Sequence, residues 1–178
     1  IPPPDSPTTF GQAPAAAPPA PANGPPQEIF VTVMVDEDDG DRTLADISLR
    51  EAILMANAGN ADAVIHVPVG TYTINRPGRG ENTGGIGDLD ISNPGHNTRI
   101  VGAGRASTII RNGVDDRVFH VHSGSTADLR SLAVEDGIEP NGAGVLNNGI
   151  LTLLDVVVRG NFANSTGGGI ANMTSASL

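Results

Sequence analysis

The segment ISLREAILMAN, residues 47–57, carries the clearest helix signal in the sequence. Ser48 is a favourable N-cap residue, and Glu51 follows three residues later, the spacing of a capping box. Apolar residues then recur at helical spacing on one face, and they are Leu49, Ala52, Ile53 and Ala56. We therefore predict a helix over residues 48–57. A helix this short is not stable alone, so it must pack on the rest of the chain.

The composition favours short strands and tight turns. Glycine (23 residues) and proline (14 residues) are abundant among the 178 residues, whereas aromatic residues make up 3%. Small residues suit the corners between stacked strands better than a core of large side chains. The formal net charge of −10 argues against nucleic acid and anionic membranes as partners. No apolar run is long enough to span a membrane, and without cysteine the chain has no disulfide.

Proline is concentrated in residues 1–28, which we interpret as a Pro/Ala-rich extended arm or linker. The remainder, residues 29–178, forms the second predicted unit. After the helix it consists of short β-branched runs separated by Gly, Asn and Asp, which are the residues that turns require.

Two segments of this unit repeat. Gly142–Asn148 recurs as Gly167–Met173, 25 residues later, and Ser131–Gly137 resembles Asp155–Asn161 at a separation of 24. A strand-rich repeat of this length predicts the stacked coils of a parallel β-helix, an all-β solenoid whose helix caps the first coil. Asn147 and Asn172, at equivalent positions of the repeat, are expected to stack on each other.

The helix segment also resembles the signature of the CSLREA-type N-terminal domain of bacterial secreted and surface proteins. The resemblance covers residues 29–178 and continues through the motifs Val67–Tyr72, Gly87–Ile91, Val101–Gly104, Thr108–Ile110 and Asp116–Phe119, and through both Gly-rich repeats. Ile47 stands where the family has its namesake cysteine. The resemblance implies a right-handed parallel β-helix in an exported protein, often anchored at the cell surface, and no particular enzymatic activity.

An acidic run is a candidate calcium loop. Its carboxylates are Asp36, Asp38, Asp39 and Asp41, and Gly40 lies among them. Calcium prefers several oxygen ligands in a tight turn, but the run lacks the closing Glu and the flanking helices of an EF-hand. A solvated acidic turn is the alternative interpretation.

A second candidate metal site is the pair His120 and His122. Both imidazoles lie on the same face of a predicted strand, opposite Phe119 and Val121, which we expect to point inward. Two such histidines can hold Zn²⁺ or Cu²⁺ if a third ligand is present. The sequence identifies no third ligand, so an exposed or packed pair is the alternative.

Enzymatic chemistry is not favoured. Lyases and hydrolases built on parallel β-helices need converging carboxylates, and a lyase also needs an Arg. We interpret Asp88 and Asp90 as turn and edge residues, and the other aspartates form no cluster with a basic partner. We identify no catalytic and no cofactor-binding residue.

We therefore expect a non-catalytic, extracellular structural or adhesive element of the cell surface. Because the sequence stops soon after a repeat begins, we expect self-association through the coil ends and the Pro-rich arm, and a filament is one outcome. The alternative is a carbohydrate-active, pectate-lyase-like fragment that binds or cleaves acidic polysaccharide. The loop at residues 75–87, with Arg76 and Arg79, would then contact the sugar.

Overall fold

The structure is a computed structural model that describes residues 24–173 and 176–178. Most of the predicted arm, residues 1–23, lies outside the described residues. The described part contains one helix, α1 (Leu49–Ala58), and eleven strands. The strands are β1 (Gln27–Phe30), β2 (Ala63–Val67), β3 (Gly70–Ile74), β4 (Leu89–Ile91), β5 (Asn97–Gly102), β6 (Thr108–Asn112), β7 (Phe119–Val121), β8 (Thr126–Glu135), β9 (Val145–Asn147), β10 (Ile150–Arg159) and β11 (Ile170–Asn172).

The strands pair in parallel and form two sheets. The larger sheet has seven strands in the order β1-β2-β5-β8-β6-β3, with β10 paired to β8. The smaller sheet has the order β11-β9-β7-β4. The ten-residue strand β8 pairs with β5 along its first half and with β6 along its second half. This double pairing joins what would otherwise be separate ladders into one curled sheet that resembles half of a barrel.

The prediction of an all-β, right-handed parallel β-helix is wrong, because the structure is α/β-like, with a curled parallel sheet, a smaller parallel sheet and a helix. The separation of paired residues along the large sheet is not constant, and falls from 36 to 35, 29 and 24. A separation of 24 to 26 residues holds only for the pairs β6–β8, β7–β9, β8–β10 and β9–β11. Extrapolation of that period to the whole chain produced the solenoid assignment.

The local pairing predicted from the repeat is confirmed. Val145 pairs with Ile170 and Asn147 with Asn172 in the β9–β11 register, at the separation of 25 residues. The Asn147 side-chain amide donates to Asn172 Oδ1 at 2.6 Å, so the two asparagines do stack. Ser131 and Asp155 occupy matching bends in β8 and β10, and both have positive φ.

The helix is confirmed within one residue. Ser48 is the N-cap, and the capping box is complete, because Ser48 Oγ accepts from Glu51 N and Glu51 Oε2 accepts from Ser48 N. The apolar face is buried as predicted and packs against β4, β2 and β1. Arg50 and Glu51 are buried as well, which the apolar pattern does not predict.

A continuous core lies between the two sheets and the helix. Alternate residues of neighbouring strands point into it, for example Ile65, Ile100 and Leu129 from the large sheet, and each is fully buried. Phe119 and Val121 contribute from the small sheet, as the alternation predicts. No helix of the described residues is long and apolar enough to cross a membrane.

Candidate functional site

Asp36, the first carboxylate of the predicted calcium loop, forms a buried ion pair. Arg50 Nε lies 2.6 Å from Asp36 Oδ1, and both side chains are almost fully buried. Asp36 Oδ2 also accepts from Arg50 Nη2 and from the backbone N–H groups of Asn75 and Arg76. The remaining guanidinium hydrogens reach the carbonyls of Gly84, Gly87 and Asp88. This pair therefore fixes the acidic run and the loop at residues 75–87 to the helix.

The other three carboxylates of the acidic run serve local contacts. Asp38 pairs with Arg42 at 3.3 Å, Asp39 accepts from Asp41 N, and Asp41 accepts from Thr43 N. Within the described residues, no three carboxylates of the run come close enough to share an ion through their side chains. Calcium binding by the run stays a prediction, and the structure accounts for the acidic residues as turn-forming groups.

The two histidines lie beside a third polar side chain, that of Asp90. Asp90 on β4 pairs in register with His120 on β7, and the strand alternation places all three side chains on the face opposite the core residues Phe119 and Val121. Asp90 Oδ1 is 2.5 Å from His122 Nε2 and 3.2 Å from His120 Nδ1. The imidazole rings stand 3.9 Å apart between centroids. On the far side of His120, its Nε2 lies 2.8 Å from the Asn148 amide nitrogen.

Asp90 belongs to a buried group of acids that the sequence pattern does not predict. Asp88, Asp90 and Asp116 are each at most 2% exposed, and Arg117 Nε lies 3.2 Å from Asp88 Oδ2. The interpretation of Asp88 and Asp90 as turn and edge residues is confirmed by position, since Asp88 directly precedes β4 and Asp90 lies on β4, the edge strand of the small sheet. Their nearly complete burial is what that interpretation does not predict. Gly87 in the loop at residues 75–87 has φ +66°, and a Cβ there would lie 2.7 Å from Asp116 Oδ2, so glycine permits the close approach.

Burial and neighbouring charges shift the pKa values of these three acids in different directions. Burial, together with the charges of Asp90 and Asp116, raises the pKa of Asp88 to about 8 against the opposing effect of Arg117. Burial likewise raises the pKa of Asp116. Burial also opposes ionisation of Asp90, but contacts with His120 and His122 outweigh it and lower its pKa. At neutral pH Asp88 is thus mostly protonated, whereas Asp90, next to the histidines, keeps its negative charge.

The loop at residues 75–87 borders an open cleft of about 760 Å³. Residues of the loop, of the β6–β7 connection and of the segment after β8 line it, including Pro77, Arg79, Arg111, Asp115, Asp136 and Ile138. Arg79 pairs with Glu139 at 2.7 Å and Arg111 with Asp136 at 2.8 Å, but both arginine side chains stay about half exposed. The cleft therefore offers two accessible guanidinium groups close to paired carboxylates.

The surface formed by β10 and β11, which we call the β10–β11 end, has unsatisfied apolar packing. Leu153, Val156 and Val158 are half-buried, whereas their register partners on β8 are fully buried. Ile150 and Leu154 are more than half exposed. Beyond the short contact with Ser177, the free edge of β10 pairs with no other strand among the described residues.

Comparisons with known protein families, with curated proteins and with solved structures find no match. The resemblance to CSLREA-type domains therefore stays a prediction.

Proposed function

We propose that the protein is a non-catalytic structural element that associates with further copies of itself through the β10–β11 end. Placement outside the cell, at the surface, is part of this proposal and rests on the resemblance to CSLREA-type domains. A role in adhesion or in a filament would follow from head-to-tail association, because a contact that does not close on itself produces an open assembly.

The observation that carries the proposal is the contrast between two paired strands. On β8, Leu129, Leu132 and Val134 are fully buried because β10 covers them. The equivalent row on β10 is half-buried and has no such cover within the described residues. A further parallel strand would bury that row and satisfy the free backbone groups of the edge. A second copy can supply this strand from its own exposed edge.

Sedimentation at several concentrations, together with electron microscopy, tests the proposal. We expect concentration-dependent association, which Leu154→Lys should weaken, because a charged side chain beside an open edge opposes strand pairing. Leu154 is already 55% exposed, so this change should leave the fold intact. The matched control is Leu44→Lys, at a residue that is 86% exposed and distant in sequence from β10. Monomers at every concentration would contradict the proposal.

A second candidate function is binding of an acidic polysaccharide in the cleft beside the loop at residues 75–87. The observation that favours it is the pair of half-exposed arginines, Arg79 and Arg111, in a cleft of about 760 Å³. Guanidinium groups bind carboxylates in a bidentate way. Binding is favoured over cleavage, since the nearby Asp88, Asp90 and Asp116 are too deeply buried to contact a polymer.

Co-sedimentation with an insoluble polyuronate tests this second function. The double variant Arg79→Gln, Arg111→Gln should lose binding. The control is Arg105→Gln, because Arg105 is similarly exposed and ion-paired, to Asp155, but does not line the cleft. Equal binding by the double variant and the control would exclude the cleft as the polysaccharide site.

A further inference from the structure

We propose that Asp90, His120 and His122 form a binding centre for a divalent transition-metal ion, for which Zn²⁺ is the simplest probe. This inference is independent of self-association, and either one can fail without the other.

The register of the small sheet brings the three side chains together. Asp90 on β4 and His120 on the neighbouring β7 are direct partners, and His122 follows two residues later on the same face. The strand period of two therefore places both imidazoles beside one carboxylate. Because the core side of these strands is filled by residues such as Phe119 and Val121, the packed sheet holds Asp90 and His120, and His122 directly follows β7.

The distances suit a small ion. One ligand atom from each residue lies within 4.8 Å of the other two. Two ligands of a tetrahedral Zn²⁺ stand about 3.3 Å apart, given metal–ligand bonds of about 2.0–2.1 Å. The separation between Asp90 Oδ1 and His120 Nδ1 is already 3.2 Å. The 2.5 Å separation from His122 Nε2 would have to open by less than about 1 Å, which side-chain rotation allows.

An unpartnered atom marks the same place. Asp90 is fully buried, and its Oδ2 has no hydrogen-bond partner among the described residues. Leaving a buried charged oxygen without a partner is costly, and a metal ion bound by both oxygens of the Asp90 carboxylate would satisfy it. Glu81 and Asp88 each offer a carboxylate oxygen that, with one from Asp90, forms a second group close enough to hold an ion. The carboxylates favour a cation at this position, and the two imidazoles select for a transition metal.

Asn148 is suited to orient one ligand. Its side-chain amide lies 2.8 Å from His120 Nε2, the ring nitrogen opposite to the one that faces Asp90. For His120 to present Nδ1 to a metal, its proton must reside on Nε2, and the Asn148 amide can rotate so that its oxygen accepts a hydrogen bond from that N–H. Metal-bound histidines commonly have such an outer partner, which fixes their tautomer.

Zn²⁺ titration of the full chain by calorimetry, after removal of any affinity tag and treatment with a chelator, tests the proposal. We expect one Zn²⁺ per chain and a rise in the melting temperature with Zn²⁺ concentration, because the ion binds the native state. His122→Ala should weaken binding by at least about tenfold. The His122 side chain is partly exposed, so its loss should spare the fold, and circular dichroism checks this.

The matched control is His66→Ala. His66 contacts Glu28 at 2.6 Å on the large sheet and belongs to neither candidate metal group. Co²⁺ provides a second readout, because its visible absorption reports imidazole and carboxylate ligation, and Asp90→Asn should change that spectrum. The proposal is overturned by the absence of saturable Zn²⁺ binding, by unchanged binding in His122→Ala, or by equal losses in His122→Ala and His66→Ala.

Discussion

Arg50 is the residue on which most of the molecule's polar organisation depends. Its guanidinium is 1% exposed and its donors reach Asp36 and three backbone carbonyls. The cost of removing a charged side chain from water is offset only when it is paired and hydrogen-bonded this completely. The apolar pattern of the sequence predicts the helix at residues 48–57 but does not predict that Arg50 is buried. Its hydrogen-bond partners are 14 to 38 residues away in the sequence, so the local pattern does not identify them.

Replacing Arg50 by Ala should lower the free energy of unfolding by about 3–5 kcal/mol, because it leaves Asp36 buried without its partner. Urea unfolding measures the effect. The control is Arg42→Ala, which breaks the exposed Arg42–Asp38 pair and should cost less than about 1 kcal/mol. Similar losses in the two variants would contradict the assigned role of Arg50.

Asp128 connects neighbouring strands through charge. Arg99 Nε lies 2.8 Å from its carboxylate, and Arg130 donates to it as well. Burial opposes ionisation of Asp128, but the two arginines outweigh it and lower its pKa. The folded-state pKa therefore lies below the unfolded value of about 3.9. The resulting stability is present above that pH and is lost as the pH falls through the folded-state pKa.

Asp128→Asn should therefore lower the free energy of unfolding by about 1–2 kcal/mol at pH 7, a figure kept small because both arginine side chains are about one-third exposed. The difference from the parent protein should shrink as the pH falls below about 4. Urea unfolding at several pH values measures it. A difference that stays constant with pH would show that the charge of Asp128 does not stabilise the fold.

Among the elements, the helix and most strands follow from local pattern. The longer strands after the helix coincide with the short β-branched runs of the sequence, because apolar alternation and Gly or Asn at the breaks mark them. Strands β9 and β11 are missed as strands, since each has three residues inside a Gly-rich motif and too little length to alternate. Their pairing is nevertheless predicted by the repeat that contains them.

The sheet arrangement and the candidate site depend on distant pairing. His120 and His122 stand out locally, but their partner Asp90 is visible only if β4 is aligned with β7, about 30 residues away. The alternation of polar and apolar residues in DLDI and FHVH is the signal that could have suggested this alignment. The curled sheet depends on β8 pairing with two strands, for which the local sequence has no signature.

The helix N-terminus offers a test at this scale. Ser48 Oγ accepts from Glu51 N and donates to the Glu37 carbonyl, so the cap also fixes the preceding loop. Ser48→Ala should lower the free energy of unfolding by about 1–2 kcal/mol. Ser48→Thr should lower it much less, because threonine also carries a hydroxyl that can cap the helix. Chemical denaturation of the two variants makes the comparison. Equal stability of both variants and the parent would mean that the cap contributes nothing.

At the scale of the whole molecule, net charge opposes the proposed self-association. Each chain carries a formal charge of −10, so two copies repel each other at long range. Salt screens this repulsion over roughly 10 Å at 0.1 M, while apolar burial at the β10–β11 end is little affected. We expect the fraction of associated protein in sedimentation to rise with NaCl. A fall with salt would indicate an interface held by ion pairs instead.

The position of β8 has a consequence for how the molecule opens. This strand has paired neighbours on both edges and mostly buried side chains, whereas β10 is covered on one side and β11 is paired on one edge. Its amide hydrogens should therefore exchange with solvent more slowly than those of β10 and β11. The molecule would then open from the β10–β11 end, and the strands around β8 would be the last to lose their protection.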